Sequence, residues 1–303
     1  MPARSKWQRL PTEAVNPASR NIDTLSCAGI VEVMAADNRR VLKAVQREKA
    51  RIARGAELLA RAVQRGGRLI FVGAGTSGRL GVLEAAEMPP TFGIRRETVQ
   101  AIMAGGRSAI YRAKEGVEDD AAEGTRAIRR LRPTSKDVVI GVSASGITPF
   151  VRGAVQQAKA TRARVVGVTC DPSSDLKKFT DVMITLAVGP EVIAGSTRLK
   201  AGTATKVVLN MLTTAAMIRA GKTYGNLMVD VKATNEKLKD RARRIIGTIT
   251  GLANDDANAL LERAQWNVKA AIVMQKTGLT RGKALARLGE SGDSVRKALL
   301  GRR

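Results

Sequence analysis

Five short apolar runs, at residues 69–72, 99–103, 138–142, 165–168 and 182–186, constrain this 303-residue chain most strongly. Each has the length of a strand, and helical patterns such as 121–131 and 150–160 separate most of them. Alternation of this kind predicts an α/β fold: a three-layer αβα sandwich around a five-stranded, mostly parallel sheet with helices on both faces. Aromatic residues make up only 3% of the chain, so the core must be built from Ala, Val, Leu and Ile. In such sheets ligands bind beyond the carboxyl ends of the strands. The loops that follow the strands are therefore where chemistry is expected.

The loop after the first run reads Gly73-Ala-Gly-Thr-Ser-Gly78. Leu80, Val82, Leu83 and Ala86 then recur at helical spacing until Pro89 and Pro90, which should stop the helix. A strand, a glycine turn and a helix together aim backbone N–H groups and a helix dipole at an anion, and Thr76 and Ser77 add hydroxyls. Gly75, Thr76 and Ser77 are thus candidate phosphate ligands. The same loop fits G-x-G-x-x-G, but the acidic residue a dinucleotide needs should end a second strand. Glu97 precedes the next apolar run instead, and no lysine follows Gly78. An idle turn would need the glycines but not two hydroxyls.

A second loop of the same grammar, Ser143-Ala-Ser-Gly-Ile-Thr-Pro149, follows residues 138–142. Pro149 suits the first turn of a helix, leaving Ser143, Ser145 and Thr148 near its N-terminus, where one of them would serve as an ordinary cap. A third segment begins Gly195-Ser-Thr-Arg-Leu-Lys200 and continues as a long helical pattern, with Ser196 or Thr197 as its expected cap and Ser196 and Lys200 as further candidate substrate ligands. Lys200 and Lys206 are candidates to direct charge at a ligand, with a solvated or subunit-facing role the alternative.

The chain has no histidine. Ser–His and Cys–His nucleophilic systems and every His-containing metal site are thereby removed, and acid–base work falls to carboxylates, Lys or Tyr. Cys27 and Cys170 sit in no motif and are expected to be buried small hydrophobes. Lys and Arg number 52 against 27 Asp and Glu, a formal charge of +25. Such a field attracts nucleic acid non-specifically and steers dianionic small substrates. The basic residues are spread along the chain without aromatic interleaving, so a solvated basic surface is expected and no specific nucleic-acid partner. No run approaches a membrane span and the basic N-terminus leads into no apolar signal core, so the expectation is a cytoplasmic protein with no membrane partner.

Three divisions are predicted. Residues 1–48 form an N-terminal arm, extended over the Pro2, Pro11 and Pro17 region, plus the start of an amphipathic helical region that runs from Ile30 to Val63. Residues 49–246 form the sheet domain. Residues 247–303 form a helical subdomain with an internal repeat: Gly251-Leu252, Ala257, Leu261 and Val268 recur 27 residues later as Gly278-Leu279, Ala284, Leu288 and Val295. Each copy has the length of a helical hairpin too short to fold alone.

The run 71–93 closely resembles the signature of N-acetylmuramic acid 6-phosphate etherases, which are built on the sugar isomerase (SIS) fold and related to the glucokinase regulatory protein. Residues 12–19, 115–119, 143–149 and 195–203 also look like etherase segments, so the resemblance spans nearly the whole chain in order. It implies a SIS domain with a UBA-like helical appendage. It further implies a lyase that releases D-lactate from N-acetylmuramic acid 6-phosphate to leave N-acetylglucosamine 6-phosphate, in peptidoglycan amino-sugar recycling. The chemistry would be an elimination: once the ring opens to the aldehyde, the proton on C2 becomes acidic. A base removes it, an acid protonates the lactate oxygen leaving C3, and water adds back. Two acid–base groups suffice, and no metal or cofactor is expected. The resemblance makes Glu87 the acid and Glu118 the base, with Glu84 and Glu115 as local competitors. It assigns Ser77, Ser143, Ser145 and Thr148 to sugar-phosphate binding. It also implies a homodimer with the site at the interface and the N-terminal arm packed on the partner subunit. A non-catalytic sugar-phosphate sensor that binds a protein partner is the alternative, as are a nucleic-acid-binding regulator and an aldose–ketose isomerase.

Overall fold

The computed structural model describes residues 10–231 and 233–301. The chain forms two compact units. One runs to Ala86 and resumes over Arg96–Thr213; the other joins Glu87–Arg95 to the chain from Thr214 onward.

In the first unit, the single amphipathic region expected over residues 30–63 divides into α1 (Cys27–Arg47) and α2 (Lys49–Gln64). The break is at Glu48, a buried residue whose carboxylate accepts from Arg51 (2.7 Å) and from the backbone N–H of Thr185 (3.2 Å). The five apolar runs are the five strands: β1 (Leu69–Gly73), β2 (Val99–Met103), β3 (Val138–Val142), β4 (Arg164–Thr169) and β5 (Val182–Thr185). Every pairing is parallel, in the order β2-β1-β3-β4-β5, with Leu69 in register with both Val99 and Val138. All residues of β1 and β3 are buried, as strands covered on both faces require.

Helices α3 (Gly75–Phe92), α4 (Ser108–Tyr111), α5 (Ala121–Leu131), α6 (Pro149–Ala160) and α7 (Lys200–Arg219) complete the element order around the sheet. On one face Ile70, Val72, Val139 and Val165 meet Phe150, Val151, Ala154 and Val155 of α6 and Ile128 of α5. Each such side chain contributes about 1.5–3 kcal/mol by leaving water. On the other face small residues let helices come close. A Cβ on Gly81 of α3 would stand 2.8 Å from the Phe71 Cβ, and one on Gly55 of α2 would stand 2.8 Å from the Leu212 Cδ2 of α7. The chain thus leaves β1 for one face and β3 for the other. The crevice between these neighbouring strands is a topological switch point, where a ligand is expected.

Pro89 and Pro90 do not stop α3, which continues through both to Phe92. A proline removes its own donor and the bond to the carbonyl four residues back, but leaves the following residues free to stay helical. The helix ends instead at Gly93, whose φ of +63° is open to glycine and whose missing Cβ makes room for the Asp230 carbonyl.

The second unit holds a small hairpin, β6 (Thr223–Tyr224) with β7 (Leu227–Met228), and five helices: α8 (Glu236–Thr250), α9 (Asn254–Arg263), α10 (Val268–Thr277), α11 (Arg281–Glu290) and α12 (Val295–Leu300). The sequence repeat is a structural repeat. Hairpin α9–α10 recurs as α11–α12, each preceded by a left-handed glycine, Gly251 (φ +78°) or Gly278 (φ +71°). Within each hairpin two successive left-handed residues make the turn, Gln265-Trp266 in one copy and Gly292-Asp293 in the other, and Asn267 or Ser294 then caps the next helix. Both copies share one core, in which Leu261 and Ile272 meet Leu288 and Val295. The boundary expected at residue 247 falls inside α8, because Ala242, Ile245 and Ile246 belong to this same core, together with Val229 and Val231.

No helix among the described residues is long and apolar enough to cross a membrane. The cysteines differ: Cys170 is buried, but Cys27 at the start of α1 is exposed, contrary to expectation. Burial, together with the negative charge of Glu191, pushes the Cys170 thiol up to about 12. Iodoacetamide at neutral pH should therefore alkylate Cys27 in the native protein and reach Cys170 only after denaturation, a pattern that peptide mass mapping reads directly.

Candidate functional site

A cavity of about 380 Å³ opens beyond the carboxyl ends of β1 and β3, at the switch point. Four walls form it, each from a different stretch of chain.

The first wall is the β1–α3 turn. Its tightness comes from glycine: a Cβ on Gly73 would lie 2.6 Å from the Gly78 nitrogen, and one on Gly78 would lie 2.8 Å from the Gly73 oxygen. The N–H groups of the first helical turn have no carbonyl inside the helix to donate to. Gly75, Thr76 and Ser77 line the cavity, so these donors and two hydroxyls are available to an anion there.

The second wall is the β3–α6 loop. Ser145 and Thr148 line the cavity; Ser143 does not. The buried Ser143 hydroxyl instead accepts from the Gly146 N–H (3.0 Å) and pairs with the Thr148 hydroxyl at 2.7 Å, so it shapes the loop from inside. Gly146 is left-handed (φ +72°), and its carbonyl accepts from the Ser174 hydroxyl (2.6 Å). Thr148 occupies the N-cap of α6 but makes no capping bond with its side chain. Its hydroxyl is held at the cavity by Ser143 rather than spent on the helix.

The third wall runs from residue 103 to residue 119. Glu118 sits half-buried in a short 3₁₀ turn, Val117–Asp119, entered through left-handed Gly116 (φ +79°), and it lines the cavity with Glu115 and Asp119. The lining cations are partly committed to the wall itself. Arg79 donates to the carbonyls of Ala109 (2.9 Å) and Ile110 (2.8 Å), and Lys114 to that of Gly105 (3.4 Å).

The fourth wall comes from the N-terminal arm and the segment before α7. Thr12 and Glu13 reach the cavity beside Gly195 and Thr197. Over residues 12–19 the arm lies on its own chain. The Gly195 N–H donates to the Thr12 carbonyl (2.9 Å), Asn16 Nδ2 to the Pro190 carbonyl (3.2 Å) and the Ser19 hydroxyl to the Val192 carbonyl (2.8 Å). The part of the arm before Leu10 lies outside the described residues.

Two further candidates have structural roles or lie off the cavity. Lys200 is 2% exposed; its ammonium donates to Asp37 (2.6 Å) and to the Pro190 carbonyl (2.7 Å), which leaves it no charge to offer a ligand. Ser196 does not line the cavity, and neither it nor Thr197 caps α7 with its side chain. Buried Glu191 does so, accepting from the N–H groups of Lys200 (3.1 Å) and Ala201 (2.8 Å). Burial raises the Glu191 pKa against the pull of those bonds.

The carboxylates of α3 separate in the same way. Glu84 is buried and accepts from Asn210 (2.5 Å) and the Thr213 hydroxyl (2.8 Å), with the Lys206 ammonium at 3.9 Å, so the charge of Lys206 is directed at Glu84. Burial raises its pKa. Glu87 is exposed and does not line the cavity.

Replacing Lys200 by Met should destabilise the first unit by up to about 3–5 kcal/mol, because buried Asp37 would keep only the half-exposed Arg40 guanidinium, 3.4 Å away, as a cation. Denaturant unfolding of Lys200→Met beside Lys206→Met, which removes only a half-exposed ammonium, reads the difference.

The sequence compares closely with known proteins. The glucokinase regulatory protein N-terminal SIS domain model matches residues 51–160, and the SIS domain model matches residues 129–215. The N-acetylmuramic acid 6-phosphate etherase of Clostridium beijerinckii is 45% identical over 292 residues, 96% of both chains. That of Trichormus variabilis is 47% identical over 290 residues, 96% of this chain and 94% of its own. The N-acetylmuramic acid 6-phosphate etherase 2 of Vibrio cholerae is 46% identical over the same shares.

Proposed function

This chain belongs to the N-acetylmuramic acid 6-phosphate etherase family, and we infer that it cleaves the D-lactyl ether of N-acetylmuramic acid 6-phosphate to N-acetylglucosamine 6-phosphate and D-lactate. The observation that carries the mechanism is the half-buried Glu118 carboxylate on a cavity whose other walls present a helix N-terminus and several hydroxyls. A phosphate at Gly75, Thr76 and Ser77 receives backbone N–H groups, the helix dipole and two hydroxyls. Ser145 and Thr148 hold the sugar from the next loop. With the substrate ring open, Glu118 takes the C2 proton, and the developing enolate expels the lactate oxygen from C3 once that oxygen is protonated. Water then adds at C3 across the double bond.

The proton for lactate comes from Glu87. That carboxyl does not line the cavity of its own chain, so the reading assigns each site the partner subunit's Glu87 in a homodimer. Two surface features support such an assembly. Cys27–Ala36 of α1 has no buried residue although it carries Ile30, Val31, Val33 and Met34, and Leu83, one turn before Glu87, is an exposed apolar residue on α3.

Lactate release by the wild type, Glu118→Gln and Glu87→Gln in deuterated water tests the scheme. Each substitution should lower the rate by about 10²–10⁴-fold, the usual contribution of a general acid or base. Only the wild type and Glu87→Gln should exchange solvent deuterium into C2 of the sugar. Mixed subunits of the two inactive variants should regain activity, since one site of a heterodimer then has both carboxylates. A protein that binds the sugar phosphate yet releases no lactate would be a sensor instead.

A further inference from the structure

The elimination requires an open-chain aldehyde, whereas the sugar phosphate in water is a closed pyranose. Opening the ring is an acid–base step of its own: a proton must leave the C1 hydroxyl and one must reach the ring oxygen. The chain has no histidine to do this. The cavity has four lining carboxylates, and three of them, Glu115, Glu118 and Asp119, share one short stretch of wall. Glu118 is committed to C2. Glu115 and Asp119 share the wall of Glu118, and the fourth carboxylate, Glu13, stands on a separate part of the chain.

Three observations mark Glu13 and its neighbour Thr12 as a ligand-facing pair. No hydrogen bond or ion pair engages the Glu13 carboxylate among the described residues. Gly195 leaves room for it, since a Cβ there would stand 3.0 Å from Glu13 Oε2. Thr12 is 2% exposed, and its buried hydroxyl is left without a partner among the described residues. A buried hydroxyl without a partner costs about 1–3 kcal/mol. At the wall of a cavity, a substrate oxygen can supply the missing bond. The bonds from Asn16 and Ser19 fix the segment, so the pair is positioned before a ligand arrives.

We propose that Glu13, assisted by Thr12, opens the pyranose ring, giving the protein a sugar-phosphate anomerase activity separable from lactate release. The inference rests on the etherase reading for its substrate class. One Glu13 oxygen takes the proton of the C1 hydroxyl as that oxygen becomes the aldehyde carbonyl. The C1–O5 bond breaks with its electron pair going to O5, and O5 receives the proton back from Glu13, which returns to a carboxylate. The Thr12 hydroxyl donates a hydrogen bond to the oxygen that carries the developing charge. Closure in reverse gives either anomer.

Magnetisation transfer between the α and β anomeric protons of N-acetylglucosamine 6-phosphate measures this step without any elimination. Catalytic amounts of wild type should accelerate the exchange. Glu13→Gln should lose at least tenfold and Thr12→Val a smaller factor, while Glu118→Gln should lose deuterium incorporation at C2. Glu13 is exposed, and Val fills the space of Thr12 without the orphan hydroxyl, so both variants should fold; saturation transfer from bound N-acetylglucosamine 6-phosphate checks that they bind. Wild-type exchange at the spontaneous rate, or full exchange in Glu13→Gln, overturns the proposal. Exchange without lactate release in the wild type would leave ring opening standing and overturn the etherase reading instead.

Discussion

The backbone of Gly73 touches that of Gly78, and most of what matters in the first unit depends on this contact. It folds the start of α3 back against the end of β1, so that the helix points its free N–H groups into the space above the sheet. The Gly73 carbonyl also accepts from the Ala104 N–H (3.1 Å), which binds the exit of β2 to the same point. Any side chain at either glycine would push helix from strand and move the anion site away from the sheet edge. The hydroxyls of Thr76 and Ser77 are useful only because this closure sets where they stand.

A second constraint works at the opposite wall. Glu191 caps α7 while Lys200, the first residue of that helix, turns back to Asp37 and the Pro190 carbonyl. The Lys200 ammonium thus bonds one Asp37 oxygen and the Pro190 carbonyl, while the Glu191 carboxylate takes two backbone N–H groups. The gain in net stability from such a cluster is modest, since desolvation consumes most of the Coulomb attraction. What it supplies is a fixed path for residues 190–199, and hence a fixed place for Gly195 and Thr197 at the cavity. Position, rather than charge, is what the ligand receives from Lys200.

The strands were legible because continuous apolar runs between helical patterns have few other solutions, and the two hydroxyl loops were legible because glycine and serine cluster where strands end. The 27-residue repeat was visible for a related reason: each copy must bury the same positions. The hidden parts share a different character. Nothing local to Lys200 says that Asp37, 163 residues earlier, will claim its ammonium, and nothing near Ser143 says that its hydroxyl will turn inward to Thr148. Pro89 and Pro90 suggested an end that α3 passes through, because proline forbids a bond and not a direction. Thr12 and Glu13 sat in a stretch readable only as a polar arm, since their importance comes entirely from the loop on which they lie.

That placement also has a temporal side. The bonds that seat residues 12–19 join positions more than 170 residues apart, Asn16 to Pro190 and Gly195 to Thr12 among them. Such contacts bring the largest loop-closure cost and come late in folding. On a ribosome residues 12–19 emerge ahead of the sheet and must wait, uncommitted, for most of it and the segment before α7 to be synthesised. The cavity therefore acquires its last wall only after the rest has assembled. A fusion or tag placed ahead of Leu10 would load the one part of the site that arrives last.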